Sequence, residues 1–386
     1  MVSYALRGKV ALVGAAESAL GKTPDRTVLS LQQEAALAAV ADAGMSLKDV
    51  DGLFVSGYPY AERPAVLVAE YLGLQPTYLE STNLGGSGFV AAVERAAAAI
   101  TAGICETVLI TYGSTQYSSR TRSLGGRPPE WSYQFEVPHG PALPLSGYAL
   151  AATRHMYLYG TTSEQLAEVA VAARAWAAMN PKALRRQPLT VREVLDSPLI
   201  SSPLHGLDCC LVTDGGGAVV LTSAARAKTL PKKPVYLLGS GTATTHEAIA
   251  NMPEITETAA RTSGALAFAR AGVRSTDIDV AEVYDSFTIT VVLTLEDLGF
   301  CAKGDGGAFV SGGRIAPGGA FPLNTTGGGL SYTHPGMFGV FLLIEAVRQL
   351  RGECGDRQVK AARTALCHGT GGQLSTAATV ILGLDA

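Results

Sequence analysis

The chain has 386 residues, 47% of them in the hydrophobic class and 16% charged, with a formal net charge of −3. This composition supports a large packed core and excludes a disordered chain. Its 30 basic residues against 33 acidic ones leave no cationic excess for nucleic acid or an anionic membrane. The six cysteines, at 105, 209, 210, 301, 354 and 367, contain no CxxC pair, so no zinc knuckle can be drawn and no metal site is expected. With no signal-peptide pattern at the N-terminus and no run of 18 uncharged apolar residues, a soluble cytoplasmic protein is expected.

Along the chain, short apolar runs alternate with alanine-rich periodic stretches, the pattern of an α/β protein in which buried strands end in glycine turns that feed helices. Val10–Val13 predicts a strand and Ser30–Ala43 a helix, which Gly44 stops. A strand follows over Val50–Gly57, then a helix over Gly88–Gly103 and a strand over Thr107–Tyr112. Residues 114–201 are denser in Tyr, Trp, Pro and Arg and hold a helical stretch, Ser163–Met179. This segment reads as an insertion whose loops cover a site. The second part of the chain repeats the first. Residues 264–285 match residues 36–56 at an offset of 228: an alanine-rich helix, an Ala-Gly stop, and an Asp (Asp51 or Asp279) opening the next strand seven residues past the glycine. The helix and strand over 89–113 likewise match those over 338–369. Two similar halves are therefore expected: 1–233, including the insertion, and 234–386.

Three motifs fail. The GKT of Gly21–Thr23 lacks the phosphate-loop glycine at position 16, which is Ala. Gly85–Phe89 has Phe where a nucleophile elbow requires its second glycine. Gly239–Thr244 lacks the third glycine of a dinucleotide fingerprint. Four glycine-marked segments remain where strands hand over to helices or turns: Thr82–Gly88, Tyr284–Phe287, Asn324–Gly339 and Cys367–Gly372.

Their order and spacing, with the duplication, resemble the thiolase superfamily over nearly the whole chain, above all the sterol-carrier-protein and lipid-transfer branch. The resemblance implies a duplicated α/β thiolase fold, two βα halves packed as a layered αβαβα body. Thiolases carry a nucleophilic cysteine in NxxCxSG, a histidine in GHPxG and a second cysteine in CxG. Matching Ser87 and Gly88 to the SG of the first pattern puts Gly85 in the place of the nucleophile. His334 matches the GHPxG histidine, Cys367 the CxG cysteine, and Tyr284 opens the segment matching the thiolase NEAF.

Glycine cannot hold an acyl group, so covalent thiolysis at 85 is lost. Ser87 matches a turn-shaping position and lacks an evident base. What remains suits enolate chemistry beside a thioester: a histidine donor, glycine-loop N–H groups and acid/base groups, each preorganised donor being worth roughly 3–4 kcal/mol. The lipid-transfer branch includes retro-aldolases that shorten steroid side chains held as CoA thioesters and likewise lack the cysteine. By this resemblance Tyr284, His334, Tyr332 and Cys367 are candidate acid/base residues. Gly85, Ser87, Asn324, Gly328, His368 and Gly369 are candidates for substrate or CoA binding, and His139 of the insertion is a further one. Retro-aldol cleavage of a β-hydroxyacyl-CoA is thus expected, with coenzyme A thioester as substrate and no tightly bound cofactor. The alternatives are an acyltransferase using Cys367 and a non-catalytic acyl-CoA or lipid-binding subunit. The resemblance further implies a homodimer and a small companion with an OB-fold and zinc ribbon.

Overall fold

The structure, a computed structural model, describes residues 4–56, 62–120, 134–141 and 144–386. Its strands are β1 (Val10–Glu17), β2 (Gly52–Ser56), β3 (Tyr78–Thr82), β4 (Thr107–Ser114), β5 (Leu199–Ser201), β6 (Leu204–His205), β7 (Gly215–Ser223), β8 (Val235–Thr244), β9 (Val280–Val283), β10 (Thr364–Gly371) and β11 (Thr376–Gly383). Nine of them form one sheet in the order β3-β2-β4-β7-β1-β8-β11-β10-β9, and β5 with β6 makes a small separate ladder. β1 is longer than the Val10–Val13 expected, because the small residues Gly14, Ala15 and Ala16 continue the ladder against β7.

The nine-stranded sheet is continuous only through two residue pairs between β1 and β8, Ala11 with Tyr236 and Leu12 with Val235. The same pattern is built on either side of that junction. β2 runs parallel to β4, and β7 antiparallel to both β4 and β1; β9 runs parallel to β10, and β11 antiparallel to both β10 and β8. The repeat extends to single atoms. The Asp51 carboxylate accepts the N–H groups of Glu106 and Thr107, and Asp279 accepts those of Arg363 and Thr364. Each acid thus ties the start of one strand to the start of its parallel neighbour.

The helices are α1 (Val28–Asp42), α2 (Pro64–Leu72), α3 (Gly88–Thr101), α4 (Leu145–Tyr159), α5 (Ser163–Ala178), α6 (Val191–Leu195), α7 (Ala224–Ala227), α8 (Ala260–Ala271), α9 (Thr288–Asp297), α10 (Gly306–Val310) and α11 (Gly339–Arg351). α1 begins two residues before the expected Ser30, capped reciprocally by Thr27 and Ser30, and Gly44 (φ +70) follows its end as the stop the sequence predicts. Helices and strands approach to backbone distance. A methyl group on Gly14 would lie 2.0 Å from the Ala39 carbonyl of α1, and one on Gly239 would lie 2.3 Å from the Ala267 carbonyl of α8. Ala39 and Ala267 are again 228 residues apart. Only glycine permits that contact.

α1 lies on β1, β4 and β7, and α8 on β8 and β11, while α3 and α11 touch strands from both sides of the β1–β8 junction. The order is therefore helix, sheet, helix pair, sheet, helix. The middle layer buries Phe89, Phe338 and Phe341 against Phe54, Leu12 and Leu221, each such side chain contributing about 1.5–3 kcal/mol. Glu17 of β1 fastens this layer: Arg348 of α11 grips both its oxygens and Lys182 takes one. Burial alone would raise the Glu17 carboxyl, but the two cations outweigh it and hold it at about 2. The insertion supplies α4, α5 and α6; its residues 121–133 and 142–143 lie outside the described residues. No described helix is long and apolar enough to cross a membrane.

Candidate active site

Four loop ends converge where the middle helices begin. The turn Gly85–Ser87 leads into α3, the start of α11 packs on it, and the ends of β9 and β10 lie beside it. A Cβ on Gly339 would sit 2.0 Å from the Gly86 carbonyl, and one on Gly369 2.9 Å from the Ser87 Cα. The N-termini of two helices of 14 and 13 residues thereby meet at one turn. Their leading N–H groups carry partial positive charge where no i−4 carbonyl exists to accept them.

Tyr284, one residue past β9, and His334 form the central pair. The Tyr284 hydroxyl lies 2.8 Å from His334 Nε2, and the rings meet edge to face at 5.6 Å. Phe338 stacks on the imidazole and meets the Tyr284 ring edge-on. The Tyr284 ring occupies the space a side chain at 86 would fill: a Cβ there would be 2.3 Å from its Cε2. The His334 backbone is fixed from below, its N–H donating to Thr213 Oγ1 and its carbonyl accepting from the Thr213 N–H. Thr213 also lines a cleft of about 230 Å³ that carries Lys22, Tyr117 and Arg185.

Gly85 has φ +56, and a Cβ on it would meet the Gly371 Cα and Gly372 N at 2.9 Å. The nucleophile position is therefore closed by backbone as well as vacated by sequence. The Ser87 hydroxyl donates to the Leu84 carbonyl at 2.6 Å and pairs with Thr376 Oγ1 at 2.8 Å. It shapes the turn.

Four further candidate residues have surroundings of their own. Cys367 belongs to the inner face of β10, paired in register with Glu282, and its thiol donates to the Leu342 carbonyl of α11. It is 0% exposed, against 5% for Tyr284 and 4% for His334, and burial together with Glu282 pushes the thiol well up. The thiol is roofed by a helix. His368, the next residue along the strand, points to the opposite face, where Nδ1 bonds Thr379 Oγ1, itself bonded to Ser263 of α8. It does not orient Cys367, and burial lowers its imidazole to about 3. Tyr332 packs its ring on Phe338 and Phe341. Burial and the Glu17 carboxylate push its hydroxyl well up. His139 ends the surface turn Val137–His139 and is exposed.

Asn324 and Gly328 support the pair from behind. Asn324, at φ +52, accepts the Val283 N–H through Oδ1 at 2.7 Å and donates its own N–H to Ala281. Gly327 and Gly328 open a tight turn over Gly328–Tyr332. Inside it sits a residue that the sequence reading passed over, Asp285, whose carboxylate accepts the Gly329 and Leu330 N–H groups at 2.7 and 3.2 Å. Burial raises this carboxyl to about 7, although hydrogen bonds from those N–H groups and from Asn324 favour its charged form. Its position directly after Tyr284 was the available signal. Behind it Glu282 and Glu345 are fully buried and share Thr325, with Arg357 gripping Glu345. Among the described residues no three His, Cys, Asp or Glu side chains gather to hold a metal.

The thiolase C-terminal domain-like family matches residues 241–384. Over 373 residues the chain is 35% identical to the 17-hydroxy-3-oxo-4-pregnene-20-carboxyl-CoA lyase of Mycobacterium tuberculosis, covering 90% of this chain and 92% of that one. The chain belongs to the thiolase superfamily. Within that superfamily it is also 34% identical to a steroid side-chain-cleaving aldolase of Thermomonospora curvata, over 98% of this chain and 99% of that protein. The solved Ltp2-ChsH2(DUF35) aldolase superposes on it with a TM-score of 0.89 at 33% identity, covering 98% of each chain. The duplicated layered fold expected from the sequence is the fold of these thiolase-like proteins.

Proposed function

We propose that the protein cleaves the Cα–Cβ bond of a β-hydroxyacyl-CoA by a retro-aldol reaction, without an acyl-enzyme, and that its acyl group is a steroid side chain. The reading is carried by the hydrogen-bonded Tyr284–His334 pair set against a turn whose nucleophile position is glycine. The Tyr284 oxygen takes the β-hydroxyl proton as its own proton passes to His334 Nε2. The Cα–Cβ electron pair then moves onto the thioester as an enolate, and the β-carbon leaves as a carbonyl. N–H groups at the 85–87 turn and the start of α11 stabilise the enolate oxygen, and a proton returned to Cα completes the acyl-CoA product.

Lys22 and Arg185, in the cleft that reaches Thr213, supply positive charge for the phosphates of coenzyme A. The likeness to the Ltp2-ChsH2(DUF35) aldolase supports a companion protein of that kind, with an OB-fold and zinc ribbon to help hold the thioester, around a homodimer of this chain. Acyl transfer through Cys367 is disfavoured by the thiol's enclosure under α11.

The test is incubation with a panel of β-hydroxyacyl-CoA esters, including steroid side-chain esters, with products followed by mass spectrometry. Tyr284→Phe should keep the fold and lower turnover by about 10²–10⁴, the usual contribution of general acid/base catalysis. Unchanged turnover in that variant removes Tyr284 from the reaction, and binding without cleavage of any ester would mark a non-catalytic subunit instead.

A further inference from the structure

We infer that Asp285 is a positioning residue of the site, the clamp that holds the turn over residues 328–334 so that His334 meets Tyr284; this rests on the retro-aldol reading above. The carboxylate is buried, and no Arg or Lys contacts it in the described hydrogen bonds and ion pairs. Burying a carboxylate without a cation is costly. A residue of that kind persists where the surrounding structure uses it.

Everything that meets its two oxygens is a donor. Oδ1 takes the Gly329 N–H, Oδ2 takes the Leu330 N–H, and the Asn324 side chain also donates. An amide at 285 would turn an NH₂ group toward one of these donors, so the position calls for a group that only accepts. The surroundings are cut to its shape. A methyl on Gly328 would lie 2.0 Å from Oδ2, and one on Gly329 would lie 3.1 Å from Oδ1 and 3.2 Å from His334 Cδ2. The space beside the Gly329 Cα therefore lies between the carboxylate and the imidazole, and a side chain there would press on both. Because Tyr284 is the residue before Asp285, one side chain fixes the spacing of the pair from both ends: through its own backbone to Tyr284, and through Gly329 and Leu330 to His334. The carboxyl value near 7 is the expected mark of that enclosure.

The experiment compares Asp285→Asn, Gly328→Ala and their combinations with Tyr284→Phe, using turnover of the cleaved ester and amide hydrogen exchange over residues 324–335. Asp285→Asn should lower kcat by about tenfold to 100-fold while KM moves by less than about threefold, the signature of misplaced reacting groups. Gly328→Ala displaces the carboxylate without changing its charge and should reproduce that loss. In a Tyr284→Phe background neither change should cost more, because the geometry they protect is already without use. Exchange at Gly329 and Leu330 should accelerate in both variants. Unaltered kcat and exchange in Asp285→Asn, or losses that multiply with Tyr284→Phe, would overturn the inference. The exchange measurement needs no substrate, so a failure of the cleavage reading leaves the clamp itself still under test.

Discussion

Gly86 offers the sharpest test of the site because its substitution adds a single methyl group and no new chemistry. Built on the present backbone, that methyl would sit 2.3 Å from Tyr284 Cε2 and 2.8 Å from the Thr370 carbonyl. The carbonyl belongs to β10 and cannot retreat without breaking its strand, so the aromatic ring must give way. The approach falls short of ordinary van der Waals contact by about 1 Å, and a displacement of that size carries the hydroxyl out of its 2.8 Å hydrogen bond with His334. A misplacement of about 1 Å typically costs about 10² in rate, while overpacking of this kind costs about 1–3 kcal/mol of stability. Gly86→Ala should therefore remain folded by circular dichroism and thermal melting, yet lose about a hundredfold in kcat/KM, with no added loss when combined with Tyr284→Phe. A Gly86→Ala enzyme as active as the parent would show that the ring does not need its present seat, and the reasoning from Gly86 to Tyr284 would fail.

Two further outcomes follow from the packing. Cys367→Ser should preserve turnover, because the thiol faces the Leu342 carbonyl beneath α11, and should cost about 1 kcal/mol of stability from the more polar buried group; loss of activity with an intact fold would restore Cys367 to the mechanism. The stability held by Glu17, whose carboxyl lies at about 2 instead of 4.5, is fully present above about pH 4.5 and disappears as the pH falls through 2, a contribution of about 3 kcal/mol. Urea melts between pH 5 and pH 2.5 should show this decline in the parent and a shallower one in Glu17→Gln.

The sequence made the duplication legible because its markers are local. Asp51 and Asp279 occupy equal distances past an Ala-Gly stop, and each proves to anchor the same pair of strand starts. His334 drew notice for a related reason, since Pro335 and Gly336 follow it directly, and Tyr284 did so because it comes straight after an apolar strand. Depth was not legible. Cys367 and His368 are neighbours in a motif, but strand alternation sends one under α11 and the other toward α8, and only the neighbouring strands decide which face is which. Tyr332 lies two residues from His334 in sequence, yet the turn over 328–332 rotates its ring onto Phe341. Asp285 was passed over because its partners, Gly329 and Leu330, lie more than forty residues on; its place directly after Tyr284 was the one local signal, and it says nothing of those partners.

The symmetry that ties Asp51 to Asp279 also marks where the halves diverge. At the same offset, Tyr284 corresponds to Ser56, which closes β2 as Tyr284 follows β9. A methyl on Gly88, at the head of α3, would lie 2.4 Å from the Ser56 hydroxyl, so a phenol there would collide with that helix. The half nearer the amino end therefore has Ser56 packed under α3 where the other half presents Tyr284. The two halves share a framework, yet at this pair of positions they are not interchangeable.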